Sequence, residues 1–283
     1  MSPAPASISP ETLRLIVIGA SAGGLAAVRT VVEALPADLP AAVLVVIHTA
    51  ANSPRLLADL LHASGALPAA YARDAETLRA GRIYVAPPDH HLMVHRTTLE
   101  VVRSPKENRA RPAIDPLFRS AAWAAGPAVV GVVLSGMLND GTAGLWAVKT
   151  CGGVSVVQDP DDARYGEMPL HAIRHVPVDY RLPASGIGPL LTRLARNSSG
   201  AAQATMSSDH PLGLEVEMAR MRENDMTNVD RIGRSSPFTC LACQGTLWEV
   251  DDEHVLCFRC HTGHAFTSES LEGSQDQHME DAS

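Results

Sequence analysis

LRLIVIGASAGG, residues 13–24, sets how the rest of the chain is read. Residues 13–19 are a short apolar run rich in β-branched side chains, and Gly23 to Leu35 carries apolar residues at helical spacing. This is a strand, a tight turn and a helix. The pattern recurs downstream. Ala42 to His48 reads as a second buried strand, and Pro54 to His62 as a helix with Ser53 in position to cap it. Further strands are expected at Arg82 to Ala86, Ala128 to Leu134 and Val154 to Gln158, with a hairpin over His91 to Arg103 that turns near Thr97. Helices are expected at Asp115 to Ala125, Gly141 to Thr150, Leu170 to Arg174 and Gly188 to Arg196. Continuously apolar strands alternating with helices imply an α/β fold, a doubly wound, Rossmann-like parallel sheet covered on both faces.

The 283 residues include 46% hydrophobic and only 4% aromatic side chains, so Val, Leu, Ile and Ala must fill the core. The net charge of -8 is unevenly spread. Residues 1–196 hold 18 Lys and Arg against 16 Asp and Glu, whereas 197–283 hold 5 against 15. An acidic tail on a nearly neutral body repels phosphate, so a nucleic-acid partner is not expected. The longest apolar runs, such as Ala41 to Ile47, are far short of the roughly 18 to 20 residues of a membrane-spanning helix. Met1 to Pro10 lacks the pattern of a signal peptide, and the expected location is the cytoplasm.

Residues 13–196 form the expected first domain, and 197–237 a linker, small and polar at its start (NSSGAAQATMSSDHP), with a short helix near Leu212 to Arg222. A compact module covers 238–268, and 269–283 is read as an acidic disordered tail.

Gly19-Ala-Ser-Ala-Gly23 fits G-x-S-x-G between a strand and a helix, the context of a nucleophile elbow. The competing reading is a plain turn, or a dinucleotide fingerprint with Ser21 in place of its middle glycine. A serine hydroxyl needs a base that is itself oriented by a third group. His48 closes the second strand and Asp140 follows the strand at 128–134, so Ser21, His48 and Asp140 all fall past the carboxyl ends of parallel strands, the ligand-binding edge of such sheets. Singly, His48 reads as a core histidine and Asp140 as a helix cap; together they form a candidate triad. The amide of Ala22 faces a helix N-terminus, where developing negative charge is stabilised. His90 and His91 also follow a strand, and are expected in a surface turn or lining the cleft. Cys151 is expected to be a buried packing residue.

The blocks VIGASAGG, the strand ending in His48, IYVAPPDHHLMV, NRARPAIDPLF, LSGMLNDGTAGL and GEMPLHAI, in this order over about residues 13–195, resemble the catalytic domain of the chemotaxis receptor methylesterases (CheB type). The resemblance implies a serine hydrolase, protein-glutamate methylesterase and glutamine deamidase, acting on the methylated cytoplasmic region of chemoreceptor-like proteins, with no catalytic cofactor. It implies Ser21 as nucleophile, His48 as base and Asp140 as orienting acid, and it places Met137 at the site, its amide serving the oxyanion hole with Ala22. Arg109 and Arg111 fall in a stretch bordering the cleft in this family. Members often carry a receiver domain before the esterase, and none is expected within this chain. The alternative is a catalytically inactive Rossmann-like body that binds a partner or nucleotide.

Cys240-Leu-Ala-Cys243 and Cys257-Phe-Arg-Cys260, separated by 13 residues, have the spacing of a structural zinc ribbon. Because His261 and His264 follow in CHTGHAF, a site of Cys240, Cys243, Cys260 and His264 competes with the four-cysteine site. The module is expected to unfold on chelation or in Cys240→Ser while esterase activity persists.

Overall fold

This computed structural model describes residues 13–197, 210–220, 233–250, 256–268 and 270–271. The expected linker stretches 198–209 and 221–232, and the tail beyond 271, lie outside the described residues.

The strand of the opening motif, β1 (Arg14–Ala20), sits at the centre of a seven-stranded sheet. Its side chains alternate between two cores, as the period of a strand requires. Ile16 and Ile18 face a cluster with α1 (Gly24–Glu33), α2 (Leu57–Ser64) and α6 (Ala184–Arg196). Leu15 and Val17 face a second cluster with α3 (Ile114–Ala125), α4 (Thr142–Thr150) and α5 (Glu167–His175). Burial on both sides is why β1 and β2 (Ala41–Ile47) read as unbroken apolar runs.

The order is β3 (Ala69–Tyr71), β4 (Arg82–Val85), β2, β1, β7 (Val129–Val133), β8 (Val154–Gln158) and β9 (Tyr180–Leu182), every pair parallel. The chain leaves β1 to one side through β2 and later returns to the other through β7. This reversal of direction opens a crevice at the carboxyl ends of the central strands. A hairpin, β5 (His91–His95) and β6 (Thr98–Val102), packs beside α3, where Ser120 Oγ accepts the Val94 amide at 3.0 Å.

Several boundaries differ from expectation. α2 begins at Leu57 with no side-chain cap, so Ser53 does not cap it. α6 begins at Ala184 rather than Gly188 and carries Pro189 within it. The short helix of the linker is α7 (Pro211–Arg220), and it is no spacer. Leu212, Val216 and Ala219 are buried in the core of the body, and Arg220 pairs with Glu100 at 2.6 Å.

The C-terminal module is a four-stranded antiparallel sheet in the order β10 (Gly233–Thr239), β11 (Thr246–Val250), β12 (Cys257–Cys260) and β13 (Ala265–Thr267). Its core holds Cys240, Leu247, Phe258, Cys260, Phe266 and Leu271. Leu271 falls in the stretch read as disordered tail, yet it is buried there. Among the described residues no helix is long and apolar enough to cross a membrane.

Candidate active site and metal centre

Ser21 follows β1 directly, and its amide donates to Ser135 O at 2.9 Å, tying the turn to the loop after β7. The bend into α1 is made at Gly23, whose φ of 70° lies in the left-handed region that costs glycine nothing. His48 follows β2 and is anchored by its amide on Ala20 O at 3.1 Å. Ser21 Oγ lies 3.1 Å from His48 Nδ1, and His48 Nε2 lies 2.6 Å from Asp140 Oδ2. An ionised carboxylate only accepts, so Nε2 carries the ring proton and Nδ1 is free to accept from the serine hydroxyl. The three side chains expected to converge do so at one end of the sheet.

Asp140 is 2% exposed and every one of its bonds is an accepted one. Oδ2 receives His48 Nε2 and the Ile114 amide at 2.7 Å; Oδ1 receives the Asp115 amide at 3.2 Å and Asn108 Nδ2 at 2.9 Å. Burial alone would raise its pKa, but the bond from His48, the helix amide of Ile114 and Asn108 together hold it well below the ordinary carboxylate value. Asp140 therefore does not cap the helix that follows it. It caps α3, and Asp115 of α3 in turn accepts the Gly141 and Gly144 amides of α4 at 3.0 and 2.7 Å. The two carboxylates exchange helices, which fixes the loop bearing Asp140 against the N-terminus of α3. Burial and the nearby charge of Asp140 push Asp115 up. α3 can come this close because residue 19 is glycine: a Cβ there would lie 2.3 Å from Ile114 Cγ2.

Met137 and Leu138 are exposed apolar residues on the loop that holds Ser21, and Ala22 is half-buried at the start of the turn. On the same sheet edge, past β2 and β4, an open cleft of about 540 Å³ is lined by residues including Asn52, Ser53, Arg55, Pro88 and His90. His91 is neither in a surface turn nor in the cleft. It is fully buried and bridges Pro105 O at 3.0 Å and the Ala113 amide at 3.1 Å, a role in which desolvation lowers its pKa and keeps it neutral. Arg111 is spent on Asp89 and Ser104 O, whereas Arg109 is exposed. Cys151 is buried, and burial pushes its thiol up to about 11, so it is no second nucleophile.

In the module, one ligand atom from each of Cys240, Cys243, Cys260 and His264 lies within 4.8 Å of the others. Cys243 Sγ and Cys260 Sγ are 3.6 Å apart, and His264 Nδ1 is 3.5 Å from Cys260 Sγ and 3.7 Å from Cys240 Sγ. Two thiolates about 2.3 Å from a tetrahedral ion stand about 3.8 Å apart, so three sulfurs and a nitrogen at these separations fit one ion. Cys257 is outside the group. The second C-x-x-C is strand β12, not a knuckle, and residues three apart on a strand point to opposite faces. Cys260 faces the module core, Cys257 lines the seam with the body, and the turn after Cys260 brings His264 back as the fourth donor.

Asn108 is the residue that sequence reasoning missed. It lies within the block NRARPAIDPLF, but nothing in that block signals that its amide reaches Asp140.

The family model described as CheB methylesterase matches residues 16–191. A protein of Anaeromyxobacter dehalogenans (strain 2CP-C), named protein-glutamate methylesterase/protein-glutamine glutaminase 4, is 35% identical over 200 residues, covering 69% of this chain and 56% of its own. A relative from Leptospira interrogans is 36% identical over 184 residues, covering 65% of this chain and 95% of its own. The crystal structure of the Thermotoga maritima CheB methylesterase catalytic domain superposes with a TM-score of 0.62 at 32% identity, covering 64% of this chain and 98% of that one. The chain spans about half the length of several curated relatives it matches.

Proposed function

Because the chain belongs to the CheB methylesterase family, we propose that it hydrolyses methyl esters on glutamate side chains of chemoreceptor-type proteins in the cytoplasm, and the side-chain amide of selected glutamines, through Ser21, His48 and Asp140. The observation that carries this reading is the unbroken hydrogen-bond chain from Ser21 Oγ through the His48 ring to Asp140.

His48 Nδ1 takes the Ser21 proton as Oγ attacks the ester carbonyl, and the resulting oxyanion is met by the backbone amides of Ala22 and Met137. Collapse expels methanol, which takes the proton back from His48. Water then gives a proton to His48 and its hydroxyl to the acyl carbon, and collapse breaks the bond to Oγ, which takes the proton back from His48 as the glutamate leaves. Asp140 holds the ring in one tautomer and stabilises the imidazolium formed in each half-reaction. No step requires a cofactor. The exposed Met137 and Leu138 give an amphipathic receptor helix an apolar place to rest beside the nucleophile.

The test is methanol release from methylated receptor fragments, with Ser21 trapping by a fluorophosphonate as a parallel readout. Wild type should release methanol and be labelled at Ser21, and His48→Ala should lose both. Release that persists unchanged in Ser21→Ala would end the esterase reading.

The four-donor group in the module is read as a structural zinc site. Zinc would be held by Cys240, Cys243, Cys260 and His264 and would cross-link the two turns that carry them, leaving no open position for substrate. Metal analysis of reduced protein should give one zinc per chain.

A further inference from the structure

We infer that the cysteine module is a clamp on the catalytic carboxylate: Asn108, gripped by strand β13, is a positioning residue for Asp140, and occupancy of the metal site governs how firmly the triad is held. This rests on the triad reading above. It replaces the expectation that module and esterase act independently.

The Asn108 side chain is assigned without ambiguity by its neighbours. Its Nδ2 donates to Asp140 Oδ1 at 2.9 Å and to Asp115 Oδ2 at 2.8 Å, and its Oδ1 accepts the Thr267 amide at 3.1 Å. The ionised Asp140 demands a donor and the Thr267 N–H demands an acceptor, so the amide fits only one way round. Asn108 also takes a left-handed conformation, φ 48°, that asparagine tolerates better than most residues.

The grip on this residue comes from the module. The Asn108 amide donates to Ala265 O at 2.9 Å, the Ala265 amide donates to Lys106 O at 3.3 Å, and Thr267 Oγ1 donates to Asn139 Oδ1 at 2.8 Å, next to Asp140 in the chain. Beside this seam Arg259 pairs with Glu107 at 3.0 Å, and Glu107 also pairs with Arg119 of α3. Both guanidiniums and the carboxylate are buried. The contacts to the body thus leave the module at Arg259, one residue before the ligand Cys260, and at Ala265 and Thr267, just after the ligand His264.

Among the described residues the module's own core is six buried side chains with Leu241 and Cys243 packed against them, too few to fold alone without a metal or other staple. Removing the ion should melt β12 and β13 and so withdraw Thr267 from Asn108 and Arg259 from Glu107. Asp140 keeps its helix amides but loses the fixed orientation of one donor. Misplacement of a catalytic group by about 1 Å can cost on the order of a hundredfold in rate.

The experiment uses the full chain loaded with zinc, the same chain stripped by a chelator, and the variants Asn108→Ala and Thr267→Ala, the second removing the hydroxyl that donates to Asn139 and accepts the Ser270 amide while leaving the backbone bond to Asn108. We expect kcat to fall by roughly tenfold to a hundredfold in stripped protein and in Asn108→Ala. A smaller loss is expected in Thr267→Ala, with KM within about twofold in each. Independently of activity, amide exchange over residues 106–116 should speed up when zinc is removed. Full kcat in folded Asn108→Ala, or unchanged exchange over 106–116 in protein shown to be free of zinc, overturns the clamp. If wild type releases no methanol, the esterase reading falls, and the exchange measurement still decides whether module and carboxylate are joined.

Discussion

At the scale of single residues, the site is governed by a carboxylate with no vacant donor position around it. Each oxygen of Asp140 already accepts two bonds: Ile114 and His48 on one, Asp115 and Asn108 on the other. Asp140→Asn keeps the shape but must turn an NH2 group toward donors whichever way the amide lies. Activity should therefore fall by roughly 10³ to 10⁴, as expected when the base loses its tautomer. The thermal midpoint should fall as well, by an amount corresponding to about 1–3 kcal/mol for a buried donor left unpaired. A kcat/KM assay and a melting curve on the same preparation check both, and a variant that melts like wild type would mean that the carboxylate is not held as described. Ser21, His48 and Asp140 were legible from the sequence because each directly follows, or closely follows, an apolar strand. Asn108 was not legible, because its place depends on two segments distant in sequence, the N-terminus of α3 and strand β13, meeting over one loop.

At the scale of elements, what the sequence made plain were the strands buried on both faces. β1, β2, β7 and β8 are runs of Val, Ile, Leu and Ala with no polar interruption longer than one residue, and they appear within a residue of where they are expected. The edge strands β3 and β9 are three residues long and only partly buried, too short for any periodicity to show. The second C-x-x-C misled for a related reason. Spacing alone does not distinguish a knuckle from a strand, and only the pairing of Cys257 and Cys260 with Val250 and Leu247 sets their opposite directions. From this parity, Cys257→Ser should keep a full equivalent of zinc, whereas Cys243→Ser and His264→Ala should lose it on dialysis. Equal zinc loss in Cys257→Ser would contradict the strand geometry. Gly19 offers a test of a different contact. Gly19→Ala drives a methyl into Ile114 and must push α3 off the sheet end. Overpacking of this kind costs about 1–3 kcal/mol, and because the displaced helix carries two of the amides on Asp140, activity should drop further than stability. The paired measurement is kcat/KM against the melting midpoint.

At the scale of the whole molecule, body and module are joined by a buried charge cluster whose sign makes the joint sensitive to acid. Burial by itself would raise the Glu107 carboxyl, but the guanidiniums of Arg119 and Arg259 outweigh it and hold the group at about 2 against an ordinary value of 4.5. A carboxyl lowered on folding contributes stability that is complete above its unfolded value and is lost as pH falls toward its folded one. For Glu107 that window runs from about pH 5 down to about pH 2, and the contribution is on the order of 3 kcal/mol. Glu107→Gln leaves Arg119 with Glu215 at 3.3 Å and takes the carboxylate from Arg259. It should lower the melting midpoint at neutral pH. The wild type loses its advantage as the carboxyl protonates, so the gap between the two midpoints should hold its width above about pH 5 and narrow steadily from there toward about pH 3. Both midpoints are compared over pH values at which each protein keeps its zinc, because loss of the ion would itself withdraw Arg259 from Glu107. A gap of constant width across that range would mean that Glu107 is not ionised between its two arginines, and the joint between the halves of the molecule would then need another source of strength.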